Sequence, residues 1–289
     1  MTSGGIAASG PGAVTGRGRL AEVFATARAE GRAALIGYLP AGFPTHQGSI
    51  DALLAMIDNG VDVVEVGLPY SDPLMDGPVI QAATEIALRN GSTTGQALQV
   101  VAAVAGGPAP VLVMTYWNLV EHYGVEPFAR DLADAGGAGV ITPDLTPEEG
   151  GPWIDAARAH HLDRVLLVAP SSTDARLRLV TSTCSGFVYA ASTMGVTGVR
   201  AAVSGSAQTL VDRTRAVTDL PIAVGLGVST GDQAAEVAAY ADGVIVGSAF
   251  VRALLDAPTP EAGVESVAAL ARELATGVRQ GRARPEARG

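Results

Sequence analysis

The sequence predicts an α/β fold, a single-domain (β/α)8 barrel of the TIM type, and three observations carry that prediction. Eight short apolar runs alternate with helix-like segments along the chain. The runs are continuous rather than alternating, as parallel strands buried on both faces read. The glycine-rich turns fall after the late strands, with no composition break between domains. A Rossmann sheet would carry its glycine fingerprint after the first strand, but LPAGFP follows it here, with no GxGxxG. A doubly wound open sheet is the alternative. At ~150 residues per domain a chain of 289 residues would make two domains, yet α/β barrels of ~250 residues fold as one.

The elements follow in order. The opening MTSGGIAASGPGAVTG lacks the basic start and apolar core of a secretion signal, so residues 1–18 read as a flexible tail and the chain as cytoplasmic. The barrel is expected over 19–280, with 281–289 a second, basic flexible tail. The first strand is 34–38. A helical pattern over 49–59 ends at Asn59-Gly60, the glycine expected past a helix. The second strand is 61–66, and helix 79–90 ends likewise at Asn90-Gly91. Residues 100–120 carry no charge, but Gly106, Gly107, Pro108 and Pro110 interrupt them. A spanning helix needs ~20 uninterrupted apolar residues, so this stretch is an alanine-rich helix followed by the third strand, 111–116. Helix 125–135, strand 139–142, helix 153–160 and strands 164–169, 186–190 and 221–224 come next. Helix 232–239 and strand 243–246 complete the alternation.

Composition excludes several chemistries. The 19 basic residues are all arginine, against 29 acidic ones, for a net charge of −10. Such a balance argues against a nucleic-acid binder. Without lysine there is no Schiff-base aldolase, no pyridoxal phosphate held on this chain and no Walker P-loop. A GC-rich genome gives the same arginine bias, and the exclusion holds regardless. Cys184 is single, so neither a disulfide framework nor a cysteine zinc site exists. His46, His122, His160 and His161 show no HExxH or HxH spacing, and the adjacent pair reads as a solvated helix end. No metal site is expected.

Barrel active sites lie at the C-terminal ends of the strands. There VVEVGLPYSDPLMDGP places Glu65 between valines of the second strand. Alternation puts it on the face of Val63 and Gly67, toward the barrel interior, where burial raises a carboxyl pKa and suits it to general acid work. A structural carboxylate tied to an amide or an arginine is the equal alternative. Asp72 and Asp76 follow in a proline-stiffened loop. Asp76 reads either as a helix cap or as a fixed acceptor at the mouth, paired with Glu65 to divide acid and base roles. Asp144, after the fourth strand, is a third mouth carboxylate, with a cap or a loop brace as the alternative. STMGVTG, GLGVST and GSAF follow the last three strands. Glycine is abundant at 36 residues, so each cluster alone is weak, but three in register suit a phosphate held by backbone amides and Ser248. Tyr38, Tyr70, Tyr116 and Tyr189 near the mouth leave room for a flat ring, or serve packing.

The segment at 65–78 resembles the E-(L/V)-G-(I/L)-P-(F/Y)-S-D-P-x-x-D-G-P signature of the tryptophan synthase alpha chain family. YLPAGFP at 38–44, MTYWN at 114–118, TPDLTPEE, Tyr189 with STMGVTG, VGLGVST and VGSAF extend the resemblance over roughly 19–280. It implies a lyase that cleaves indole-3-glycerol phosphate to indole and glyceraldehyde 3-phosphate in L-tryptophan biosynthesis. By that resemblance Glu65 is the general acid/base at indole C3 and Asp76 accepts the ring N–H. Tyr38, Tyr116 and Tyr189 contact substrate, and Thr197 belongs to a closing loop. Gly198, Gly227, Gly247 and Ser248 bind phosphate, and Asp72 faces the partner. That partner is a beta subunit holding the pyridoxal phosphate, in an allosteric α2β2 heterotetramer; the chain itself takes no cofactor. Phe43, Leu226, Thr193 and Met194 depart from residues common in the family, with consequences for affinity or loop closure. A free-standing lyase, a non-catalytic activating module and another phosphate-binding barrel remain as alternatives.

Overall fold

The computed structural model describes residues 18–192 and 200–282. Its strands are β1 (Ala34–Pro40), β2 (Val63–Gly67), β3 (Val111–Met114), β4 (Gly139–Ile141) and β5 (Asp163–Val165). They continue as β6 (Leu167–Val168), β7 (Val188–Ala191), β8 (Ile222–Gly225) and β9 (Gly243–Val246). All pair in parallel, in the order β5-β4-β3-β2-β1-β9-β8-β7-β6. The two ends of that list are consecutive in the chain, divided only at Leu166. The order therefore runs once around a ring, which is the barrel the sequence predicts. The fifth strand differs from the expectation: it is split, its first half pairing with β4 and its second with β7. The stagger of a closed barrel offsets a strand's two neighbours along its length.

Around the ring stand α1 (Arg19–Ala29), α2 (His46–Asp58), α3 (Pro78–Arg89), α4 (Thr94–Val104), α5 (Trp117–Tyr123) and α6 (Val125–Asp134). The chain goes on through α7 (Gly151–Ala159), α8 (Asp174–Thr183), α9 (Arg200–Arg215), α10 (Gly231–Ala238), α11 (Ser248–Leu255) and α12 (Pro260–Arg282). The uncharged stretch resolves into α4 and β3, and among the described residues no helix is long and apolar enough to cross a membrane. The third strand ends at Met114 rather than at residue 116, because Tyr116 sits at the N-cap position of α5. His160 ends α7, and His161 adopts a left-handed backbone, φ 57°.

Strand alternation sorts the apolar side chains into two layers. Val64, Val66, Val111, Val113, Val140 and Val244 face outward and pack under the helices. Ile36, Val63, Leu112, Ile141, Val165, Ala223 and Ile245 face inward. The inner layer is closed from below by α1, whose Leu20, Phe24 and Ala27 join it, with Phe24 tilted against Phe187 at 5.5 Å between ring centroids. Arg19 ties that helix down by donating to the carbonyls of Gly107 and Pro108, at 2.8 and 3.2 Å. With the floor filled by α1, the cavity on the axis lies at the opposite end, where the strands finish.

An ion pair fixes the two strands that carry Tyr38 and Glu65. The Arg32 guanidinium grips Asp62 through both nitrogens at 2.7 and 2.9 Å, and Asp62 also accepts the Leu35 N–H at 2.8 Å. The Arg32 side chain is only 8% exposed. Arg32→Ala strands a largely buried carboxylate, so it should lower the unfolding free energy by about 3 kcal/mol. Urea denaturation measures this; a loss below 1 kcal/mol would mean that solvent replaces the pair.

Candidate active site

Glu65 lies fully buried in β2, at the same level as Tyr38 of β1. Both carboxyl oxygens lack a hydrogen-bond partner among the described residues. Burial alone pushes the carboxyl up to about 8. At neutral pH the group is therefore mostly protonated, because a dry apolar wall penalises the charged form. Of the two readings that its position left open, geometry excludes the tie to an arginine or an amide.

The carboxyl opens into a cavity of about 370 Å³ at the C-terminal ends of the strands, lined also by Tyr38, Asp76, Tyr189, Ser192 and Leu226. Two glycines make that room. A Cβ at Gly67 would collide with the Tyr38 ring, and one at Gly225 with the Tyr189 ring. Both tyrosine rings thus pack over neighbouring glycines and line the cavity with Glu65. Their hydroxyls are pushed well above the usual phenol range by burial, with the Glu65 and Asp76 carboxylates adding to the effect. They stay protonated and are available as hydrogen-bond donors.

Asp76 reaches the cavity from the loop between β2 and α3. It is half-buried, which raises its carboxyl, while the Tyr116 hydroxyl bonds to it and works the other way. Tyr116 itself is buried, but it does not line the cavity; its ring lies behind the loop. Asp72 is exposed on the outside of the same loop and accepts a hydrogen bond from the Ser71 hydroxyl at 2.5 Å. Asp144 turns out to be a cap: both its oxygens accept the Trp117 N–H at the start of α5, at 3.0 Å.

On the far side, Gly227, Gly247 and Ser248 form a rim. Gly227 has φ +76°, a conformation that favours glycine. Ser248 opens α11, whose N-terminus has no side-chain cap. Its first-turn amides have no partner within the helix and suit an anion. Thr193, Met194, Thr197 and Gly198 lie outside the described residues. Phe43 is buried in the outer layer and does not touch the cavity. Ser192 is a residue the sequence reading missed. Its hydroxyl is buried without a partner among the described residues and lines the cavity. Ser192 opens the STMGVTG segment, which was read for its glycines and its closing Thr197-Gly198, so the serine itself was passed over.

A larger cleft of about 820 Å³ opens at the opposite face, near Arg28, Arg215 and Asp242. Arg215 and Asp242 pair there at 2.9 Å. It lies where the strands begin, and no buried carboxyl of the Glu65 kind lines it. The mouth cavity is the better candidate despite its smaller size.

Comparison with known proteins agrees with this architecture. A family model described as tryptophan synthase alpha chain matches residues 24–279. The tryptophan synthase alpha chain of Salinispora tropica is 59% identical over 261 residues, covering 90% of this chain and 98% of its own. That of Streptomyces avermitilis is 61% identical, over 91% and 95% of the two chains. Among solved structures, a Mycobacterium tuberculosis tryptophan synthase superposes with a TM-score of 0.84 at 54% identity, covering 90% of this chain and 98% of that one. A tryptophan synthase subunit alpha from Legionella pneumophila keeps a TM-score of 0.82 at 28% identity, over 90% and 98%. With a matching family model over most of its length and relatives near 60% identity, the chain belongs to the tryptophan synthase alpha chain family.

Proposed function

We propose that Glu65 and Asp76 carry out this family's lyase reaction, cleavage of indole-3-glycerol phosphate to indole and glyceraldehyde 3-phosphate. The observation that carries the proposal is the buried, unpartnered Glu65 carboxyl, protonated at neutral pH. Glu65 gives its proton to ring carbon C3, leaving a cationic ring. Asp76 accepts the ring N–H and offsets that charge. The resulting Glu65 carboxylate then takes the proton of the side-chain hydroxyl. As that oxygen becomes the aldehyde, the C–C bond electrons restore the aromatic ring and Glu65 is protonated again. The ring is the electron sink, so neither lysine nor metal is needed. Tyr38 and Tyr189 border the ring, while Gly227, Gly247, Ser248 and the N-terminus of α11 hold the phosphate.

The chain takes part in tryptophan biosynthesis and needs no cofactor of its own. Family membership implies a beta-subunit partner. We extend this to an α2β2 assembly in the cytoplasm, with pyridoxal phosphate on the partner and Asp72 on the facing loop. Indole release by the purified chain should be slow alone and rise at least about tenfold when the beta subunit is added, a coupling of ~1–3 kcal/mol. Fast release unchanged by the partner would make this a free-standing lyase. No release in either condition would overturn the substrate assignment.

A further inference from the structure

The loop that carries Asp76 is exposed at its tip, where Leu74 is 86% and Met75 56% exposed. Asp76 nonetheless points into the cavity. The contact responsible comes from Tyr116, at the N-cap of α5. The Tyr116 hydroxyl accepts the Met75 N–H at 3.0 Å. The same hydroxyl lies close enough to Asp76 to lower its carboxyl against the effect of burial, and with a lone pair used on Met75 its proton is free for that carboxylate. The Tyr116 ring is tilted against Tyr70 of the same loop, 5.2 Å between centroids. Behind it, Asn118 donates to the Tyr70 hydroxyl at 3.4 Å, and Asp144 holds the start of α5. One buried phenol thus grips the loop by backbone, ring and carboxylate together.

We propose that Tyr116 is a positioning residue rather than a substrate contact: it holds Asp76 in register with the reacting ring by bonding the carboxylate and the preceding amide at once. The inference rests on the reading of Asp76 as the ring N–H acceptor. The other titratable groups facing Asp76 are Tyr38 on β1, Glu65 on β2 and Tyr189 on β7. The described cavity lining contains no arginine, and the Tyr116 hydroxyl lowers the Asp76 carboxyl against the effect of burial.

Tyr116→Phe keeps the ring and its contact with Tyr70 and removes only the hydroxyl. The variant should lose about tenfold in kcat, the worth of one charge-assisted hydrogen bond, with KM changed less than about twofold. The acid limb of the pH–rate profile should move up by about one unit, since an anion that loses a donor becomes easier to protonate. In an Asp76→Asn background the same change should alter kcat by less than about twofold, because a residue acting through Asp76 has nothing left to position. An equal loss in both backgrounds would reduce Tyr116 to a packing residue and overturn the proposal. So would unchanged kcat and pH profile in Tyr116→Phe alongside an inactive Asp76→Asn, which leaves the Asp76 reading intact. Full activity of Asp76→Asn would instead remove the Asp76 assignment and the positioning role with it.

Discussion

Glu65→Gln should lower kcat for indole release by about 10³-fold, near the middle of the range for losing a general acid. The substitution is nearly isosteric, so the side chain still fits between Val64 and Val66 in a strand whose every residue is buried. What is lost is the proton. An amide cannot protonate a ring carbon, and it cannot take back the hydroxyl proton that completes the cleavage. Binding of a phosphate ligand should change less than about twofold, because the glycine rim and α11 lie across the cavity on other strands. Steady-state indole assays and calorimetry with glycerol 3-phosphate separate the two effects. Retention of activity within tenfold would remove Glu65 from the mechanism. Loss of phosphate binding alongside activity would mean that the variant disturbs the mouth as a whole.

The barrel was legible because strand burial and strand order leave a period and a punctuation in the sequence. Apolar runs separated by Asn59-Gly60 and Asn90-Gly91 locate strands and helices without any knowledge of their partners. Glu65 was legible for the same reason: a carboxylate amid valines violates the pattern. The break at Leu166 was not, since it arises from the stagger of two neighbouring strands and not from the residues themselves. The floor was equally hidden. Nothing in RLAEVFATARA says whether its apolar face packs outside the barrel or beneath it. Tyr116 was recognised as a mouth aromatic, but its hydrogen bond to the loop was not legible. A sequence shows that a tyrosine stands near a strand end; it does not show that the ring has turned behind a loop 40 residues earlier to reach Met75. Asp144 posed the same ambiguity, and there the structure supports the cap.

The same Glu65→Gln variant should be more stable than the parent chain in alkaline buffer, by several kcal/mol. The carboxyl sits at about 8 in the folded state, against an ordinary 4.5. Below pH 4.5 both folded and unfolded chains hold the proton, and the group does not affect stability. Between 4.5 and 8 the unfolded chain releases it while the folded chain keeps it. The unfolded state then binds fewer protons, so stability falls as pH rises. At about 1.4 kcal/mol per unit, the full loss approaches roughly 5 kcal/mol once the pH exceeds 8. That is comparable with the ~5–15 kcal/mol that holds a typical domain together. Asp76 adds a loss of the same sign, but it does so in both proteins. The difference between their stability-versus-pH curves therefore isolates Glu65. Urea unfolding at pH 5 and pH 9 should show the gap opening toward the alkaline side. Parallel curves would mean that Glu65 ionises normally inside the fold, and an acid that is already a carboxylate at neutral pH has no proton to give to carbon. The stability curve thus tests the chemistry without any substrate present. A barrel that surrounds an unpartnered carboxyl with valine and tyrosine gives up stability as the pH rises, and the same penalty on the charged form is what keeps a proton on the proposed acid at neutral pH.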